Sequence, residues 1–230
     1  MLTTAQTLDG SRTLDSRNYG ETYHSINGAL TEARHVFLDA TGVSARLKRG
    51  VETHVLEIGF GLGLNALLTA DLAASHNTML RYDSYEHDLV SAASIAAMDY
   101  QSLLGKPELL DTLLAFIREQ LPANSGVPCA LSDNISLAIH LKDASRASFF
   151  NDTRTVFHAI YLDAFSPEVN PECWSTEFFT QLAQSLAQGG ILGTYSAKGD
   201  VRRAMLAAGL QVSKHAGPPG KREMLLAFRG

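Results

Sequence analysis

The run Glu57-Ile58-Gly59-Phe60-Gly61-Leu62-Gly63-Leu64-Asn65 constrains this chain more than any other segment. It joins a short apolar strand, Val55 to Ile58, to a stretch from Leu62 to Ala74 whose apolar residues recur at helical spacing. Glycines between a strand and a helix let the backbone approach a ligand closely. From Glu52 onward the same alternation continues. Further strands are expected at Met79–Tyr85, Pro128–Leu131, Val156–Leu162, Ile191–Tyr195, Leu210–Lys214 and Glu223–Phe228. Helices are expected at Asp88–Met98, Pro107–Leu121, Trp174–Ala187 and Val201–Ala208, with Asp88 as a cap and Gly189-Gly190 as a stop. The Gly217-Pro218-Pro219-Gly220 turn sends the last strand back antiparallel. The result is a doubly wound α/β domain over residues 51–230, with a sheet of seven strands. Residues 1–50 do not follow the alternation; Tyr19–Ser25 and His35–Leu38 read as a small β extension packing on the core.

The loop chemistry narrows the ligand. Its spacing is Gly-x-Gly-x-Gly, with Leu64 where a dinucleotide fingerprint carries its third glycine. A carboxylate at the mouth of the loop, Glu57, opposes a pyrophosphate and attracts an ammonium group. S-adenosylmethionine meets both conditions, because its methionyl end is cationic and it carries no phosphate. Glu86, at the end of the second strand, is placed to accept the ribose hydroxyls, and Asp133, after the third, to accept from the adenine amino group. The expected cofactor-binding set is Glu57, Gly59, Phe60, Gly61, Gly63, Asn65, Glu86 and Asp133.

Composition excludes several classes. Of 230 residues, 45% are hydrophobic and 19% charged, the balance of a folded soluble protein. Apolar stretches such as Ala66 to Ala74 fall well short of the roughly 18 to 20 residues needed to cross a bilayer. Met1 to Ser11 lacks the basic start and apolar run of a secretory leader, so a cytoplasmic location is expected. Cys129 and Cys173 read as small buried hydrophobes, and the scattered histidines give no metal-ligand spacing. The net charge of −5 argues against a general nucleic-acid binder. From Lys198 onward, however, Lys198, Arg202, Arg203, Lys214, Lys221, Arg222 and Arg229 face only Asp200 and Glu223, a local footprint suited to phosphate contacts.

The match to a known family becomes specific at Tyr161-Leu162-Asp163-Ala164-Phe165-Ser166-Pro167, continuing through Asn170-Pro171 to Trp174. Further matching blocks are Ser16-Arg17, Tyr23-x-Ser25, Glu32-x-Arg34-x-Val36-Phe37-Leu38, Thr194-Tyr195-Ser196-Ala197, Val201-Arg202-Arg203 and Lys221-Arg222-Glu223-Met224-Leu225. With the glycine loop, they make the chain resemble the MnmC-like methyltransferase family, the methyltransferase half of the bacterial enzyme that completes 5-methylaminomethyl-2-thiouridine in tRNA. Gly20-Glu21 departs from the family's paired aspartates, His24 from an aromatic, and Pro218-Pro219 from a more basic, glycine-rich turn.

The resemblance implies a class I methyltransferase fold and methyl transfer from S-adenosylmethionine to the aminomethyl group of a tRNA wobble uridine. Asp163 is then the candidate catalytic residue, holding the amine. Phe165, Ser166, Pro167, Trp174, Tyr195, Arg202, Lys221 and Arg222 are candidate substrate contacts, with Phe60, Phe165, Trp174 and Tyr195 offering aromatic faces to a cation. No oxidase half follows Gly230, so the aminomethyl substrate is expected from a separate tRNA-modifying enzyme. Two other readings remain open on the residues alone. One is an aminopropyltransferase of the polyamine-synthase type, and the other a non-catalytic tRNA- or protein-binding module.

Overall fold

The computed structural model describes residues 3–16, 18–121, 123–147 and 156–229; Arg17 lies outside them. The chain opens with a two-stranded antiparallel ribbon, β1 (Thr4–Gln6) and β2 (Arg12–Leu14). Helix α1 (Ala29–Glu32) runs into a π-helical segment, Ala33–Asp39, and is followed by α2 (Val43–Lys48). The alternation then begins: β3 (Thr53–Ile58), α3 (Leu64–Ser75), β4 (Leu80–Glu86), α4 (Ala92–Ala96), α5 (Glu108–Glu119). After these come β5 (Cys129–Ser132), β6 (Ile135–Leu141), β7 (Phe157–Leu162) and α6 (Thr176–Ser185). The chain ends with β8 (Leu186–Thr194), α7 (Gly199–Ala207), β9 (Gln211–Ala216) and β10 (Glu223–Phe228). Among the described residues no helix is long and apolar enough to cross a membrane.

The main sheet has the order β5-β6-β4-β3-β7-β8-β10-β9. Strands β6, β4, β3, β7 and β8 are parallel, and β10 runs antiparallel between β8 and β9. The central strands β3 and β7 are buried along nearly their whole length. Their side chains nonetheless alternate. Val55 and Tyr161 join a core with Phe37, Leu67 and Leu113 on one face, while Leu56, Ile58, Ile160 and Leu162 join Phe178, Phe179 and Met205 on the other. Across the strands, the Nε2 atoms of His54 and His140 lie 2.7 and 2.9 Å from the two oxygens of Asp83. Burial raises the Asp83 carboxyl, but these two hydrogen bonds outweigh it and hold it down at about 2.

The sheet holds eight strands among the described residues, one more than the seven expected. The segment around Pro128–Leu131 is an antiparallel edge strand; the third parallel strand is Ile135–Leu141, beyond the Asp133-Asn134 turn. The expected β extension is also different. Its ribbon comes from β1 and β2, Tyr19–Ser25 contributes only an isolated bridge between Asp15 and Thr22, and His35–Leu38 is helical. Val36, Phe37 and Leu38 are all buried on a helical turn, and a short apolar run carries no periodicity to separate that from a strand.

Two helix boundaries move for local reasons. Asp88 accepts from Asn18 at 2.6 Å, so α4 starts later, with Ser91 accepting the Ser94 N–H. Ser175 caps α6 by accepting from the Phe178 N–H, and Gly189-Gly190 lies within β8, beside a register shift against β7, where it stops no helix.

Residues 29–48 belong to the core by packing. The Phe37 ring is 1% exposed and lies 5.3 Å from that of Tyr161 in β7. Phe37→Ala is expected to cost about 3–5 kcal/mol of unfolding free energy in urea denaturation, the range for a fully buried aromatic. A loss under about 1 kcal/mol would make this segment a peripheral addition.

Candidate active site

The chain leaves β3 toward β4 on one side and returns to pair β7 on the other, so a crevice opens beyond the carboxyl ends of these strands. A cavity of about 550 Å³ occupies it. The glycine loop forms its floor. Gly59 has φ +93°, and a Cβ there would stand 2.6 Å from the Asp163 carbonyl oxygen, so only glycine lets β3 and β7 end this close together. Gly61 has φ +52° and donates its N–H to Glu86 Oε2 at 2.8 Å, while Glu86 Oε1 accepts from the Asp88 N–H. Glu86 thus braces the loop and still faces the cavity.

Asp163 is half-buried at the end of β7, and Asn65 Nδ2, in the first turn of α3, donates to its Oδ2 at 2.8 Å. Burial, then the charges of Glu32 and Glu57, push the Asp163 carboxyl well above the usual carboxylate range, against the Asn65 hydrogen bond and the charge of Lys221. Lys221 Nζ pairs with Glu32 Oε2 at 2.6 Å and lies 4.0 Å from the centre of the Tyr195 ring. Tyr195 donates its hydroxyl to the Ala164 carbonyl at 2.9 Å. Glu57 is fully buried behind the loop, not in the cavity wall, and accepts from Ser84 Oγ at 2.7 Å. Burial pushes its carboxyl up to about 8, against hydrogen bonding from Ser84, Asn65 and Tyr82. Its Oε1, Asn65 Oδ1 and the Tyr82 hydroxyl are buried without a well-formed hydrogen bond.

The structure brings most of the sequence candidates together. Gly59, Phe60, Gly61, Asn65, Glu86, Asp163, Phe165, Ser166, Tyr195 and Lys221 all line the cavity. Gly63 caps α3 behind the wall, Pro167 follows Ser166 outside it, and Trp174 stands edge-on behind Tyr195, donating Nε1–H to the Phe165 carbonyl. Asp133 is a correction. It sits in the turn before β6, at the opposite end of the sheet, because the segment before it is an edge strand. The acid that does follow the third parallel strand at the cavity is Asp143, which accepts from Ser145 and pairs with Arg146.

The basic C-terminal stretch is also largely committed. Lys198 pairs with Glu168, Arg203 with Asp200 and Lys214 with Glu223, while Arg229 donates to the Gln184 and Leu186 carbonyls. Lys221 lies inside the cavity instead of on an outer basic face. Arg202, half-buried on α7, and Arg222, exposed, lie away from the cavity.

Residues before position 50 supply a wall that sequence reasoning did not assign. Tyr19 stacks on Phe165 with ring centres 4.3 Å apart, and Tyr23 lies against both Phe165 and Gly61. Glu21, at a position that departs from the family pattern, accepts from the Ser166 N–H and hydroxyl. The sequence signals here were the Ser16-Arg17, Tyr23-x-Ser25 and Glu32-x-Arg34 blocks and the departures at Gly20-Glu21 and His24, none of which carries chemistry until folded.

A family model described as S-adenosyl-L-methionine-dependent methyltransferase matches residues 108–230. The chain belongs to that family. The tRNA 5-methylaminomethyl-2-thiouridine biosynthesis bifunctional protein MnmC of Aromatoleum aromaticum is 32% identical over 221 residues, covering 91% of this chain and 33% of that protein. The protein of the same name from Pseudomonas aeruginosa strain PAO1 is 33% identical over 218 residues, covering 91% and 32%. The crystal structure of MNMC2 from Aquifex aeolicus matches with a TM-score of 0.80 at 26% identity, covering 99% of this chain and 70% of that one. The chain spans about a third of the length of the curated relatives it matches.

The fold is accordingly that of a class I methyltransferase, with β5 added at the edge. S-adenosylmethionine is the family's cofactor, and the residues present fit it. The glycine loop admits close backbone approach, Glu86 faces the cavity, and the wall carries several carboxylates and few cations, suited to a sulfonium and an ammonium.

Glu57 makes a prediction for the cofactor-free methyltransferase. Its folded carboxyl titrates at about 8, above its unfolded value near 4.5, so the native state holds a proton that the unfolded state releases. That contribution is full below the unfolded value and is lost as pH rises toward 8. Denaturation curves across pH 4.5–8 should show a shallower decline for Glu57→Gln than for the parent; parallel declines would contradict it.

Proposed function

We propose that this chain transfers a methyl group from S-adenosylmethionine to the primary amine of 5-aminomethyluridine, with or without 2-thiolation, at the wobble position of tRNA. The observation that carries the reading is Asp163, fixed by Asn65 at a crevice floored by the glycine loop and walled by aromatic rings. The printed names of the relatives supply the substrate class. In this reading Gly59, Gly61 and Glu86 seat the cofactor with Phe60 and Asn65 beside it, Asp143 takes the adenine-facing place first expected of Asp133, and Glu57 lies behind the methionyl end.

The bound cofactor supplies an electrophilic methyl on a sulfonium; transfer breaks that S–C bond, forms an N–C bond and leaves a neutral thioether. The residues must present the amine with a free lone pair. An alkylamine has a reference pKa of about 10.4 and arrives protonated. Asp163 binds that ammonium, and its raised proton affinity narrows the gap between the two groups, favouring proton departure through the carboxylate. Asn65 fixes the carboxylate so that the remaining lone pair points toward the cofactor, and orientation supplies much of the rate. Phe165 and Tyr195 offer π faces to the cationic centre, Ser166 a polar rim, and Trp174 braces both through its hydrogen bond and ring contact.

Incubating tRNA that carries 5-aminomethyluridine with the protein and labelled S-adenosylmethionine should yield labelled 5-methylaminomethyl nucleoside on digestion and chromatography. Absence of that product would overturn the assignment. Asp163→Ala should lose about a hundredfold in single-turnover rate while retaining cofactor binding by calorimetry. A parent-like rate would remove Asp163 from the chemistry.

For tRNA docking, the reading uses the two cations outside the cavity. Arg202→Ala and Arg222→Ala should each weaken tRNA binding across sequences and lower the salt slope by about one unit. Unchanged slopes in both would move the phosphate contacts elsewhere.

A further inference from the structure

Glu57 Oε1, Asn65 Oδ1 and the Tyr82 hydroxyl are all buried, and none has a well-formed hydrogen bond among the described residues. The three belong to one cluster. Strand register sets Glu57 of β3 between Ser84 of β4 and Tyr161 of β7, and Asn65 reaches it from the first turn of α3. The Asn65 amide and the Tyr82 hydroxyl both lie within hydrogen-bonding reach of the Glu57 carboxyl. Ser84 Oγ donates to Oε2 at 2.7 Å, so Oε1 is the oxygen left over. On Asn65, Nδ2 donates to Asp163 Oδ2 at 2.8 Å, so the carbonyl end is left over.

Hydrogen count limits how these atoms can be satisfied. An ionised carboxylate and an amide carbonyl only accept. With Glu57 charged, its Oε1 and Asn65 Oδ1 have one hydrogen between them, that of Tyr82, and one acceptor stays bare, which buried groups rarely do. A proton on Oε1 supplies the second hydrogen. It donates to Asn65 Oδ1, and Tyr82 then donates to Glu57. The surrounding charges favour the same state. The titratable groups facing Glu57 are Tyr82 and Glu86 from β4 and Tyr161 and Asp163 from β7, with neutral Ser84 and Asn65 beside them. None of these is a cation, and a fully buried carboxyl without one is held neutral.

We infer that Glu57 is a neutral positioning residue: its carboxyl hydrogen bonds to Asn65 Oδ1 and so turns the amide to present Nδ2 to Asp163. Glu57 touches neither cofactor nor amine and acts through Asn65. Without that donor the amide is free to flip, and the flipped form sets an acceptor against the carboxyl that holds the substrate. The carboxylate expected at the loop mouth to attract the cofactor's ammonium is instead a hydrogen-bond donor behind the wall. This inference rests on the reading that Asp163 holds the amine, and its test separates the two.

Infrared difference spectra of the tRNA-free protein require no substrate. The parent should show a protonated-carboxyl band that is absent from Glu57→Gln and disappears as pH rises through about 8. Glu57→Met keeps bulk but has no donor; its single-turnover methylation rate should fall about tenfold, with S-adenosylmethionine affinity by calorimetry unchanged. Glu57→Gln, whose amide offers an N–H where the acid proton stood, should recover most of that rate. The ratio of parent to Glu57→Gln rates should be constant below pH about 8 and fall above it, since only the parent can lose the proton. In an Asn65→Leu background, Glu57→Met should cost little more, because both residues act through one amide. Thermal melting checks that each variant folds. A parent without the band overturns the proposal, as do a rate ratio flat across pH, losses that multiply in the double variant, or a loss of cofactor affinity in Glu57→Gln. Failure of the parent to methylate aminomethyl-tRNA would overturn the substrate assignment while leaving the infrared band to decide the state of Glu57.

Discussion

Gly59 and Asp163 meet because β3 and β7 run side by side in parallel register, with Ile58 opposite Leu162. The Asp163 N–H donates to the Ile58 carbonyl at 2.9 Å, and the Gly59 N–H donates to the Tyr85 carbonyl of β4 at the same distance. One side of the loop is therefore tied to β7 and the other to β4. A Cβ at Gly59 would collide with the Asp163 carbonyl and force these strand ends apart. The cavity exists because that contact is glycine against backbone, and Asn65 can reach Asp163 from the next helix for the same reason.

The first fifty residues complete the crevice in two ways. Residues 29–48 bury Val36, Phe37, Val43 and Leu47 in the core and carry Glu32 to the cavity. The stretch before them straps across the opening, with Asn18 donating to Asp88 on the β4 side and Glu21 accepting from Ser166 on the β7 side. Tyr19 and Tyr23 then bring their rings against Phe165, and Tyr23 also covers Gly61. A segment that reads as an appendage is part of the site, because Asn18 and Glu21 are hydrogen-bonded to the loops that follow β4 and β7.

Charge in the cavity is unevenly distributed. Glu32, Glu86 and Asp163 line it together with Lys221, and Glu57 lies just behind. Burial stabilises protonated Glu57 and raises Asp163, whereas Asp83, deeper in the sheet, is held ionised by two histidines. Carboxylates on neighbouring strands of one sheet thus behave in opposite ways, according to whether donors face them or burial goes uncompensated.

Periodicity and the glycine loop were enough to read the doubly wound sheet, its antiparallel last strand, and the placement of Glu86 and Asp163 at strand ends, because these follow from local alternation along the chain. They were not enough for Asp133, since two adjacent strands joined by a two-residue turn look like one strand and a loop until their direction is known. Nor could they separate a helical Val36-Phe37-Leu38 from an extended one, because three apolar residues fit either period. The sequence by itself determined the family, the glycine loop between β3 and α3 and the acid at the end of β7. Only the tertiary structure decided that Lys221 turns inward onto Glu32, that Glu57 stands behind the cavity wall, and that Tyr19, Glu21 and Tyr23 close the crevice. Those are contacts between residues far apart in the chain, and their geometry is set by how strands and turns pack, which no local pattern records.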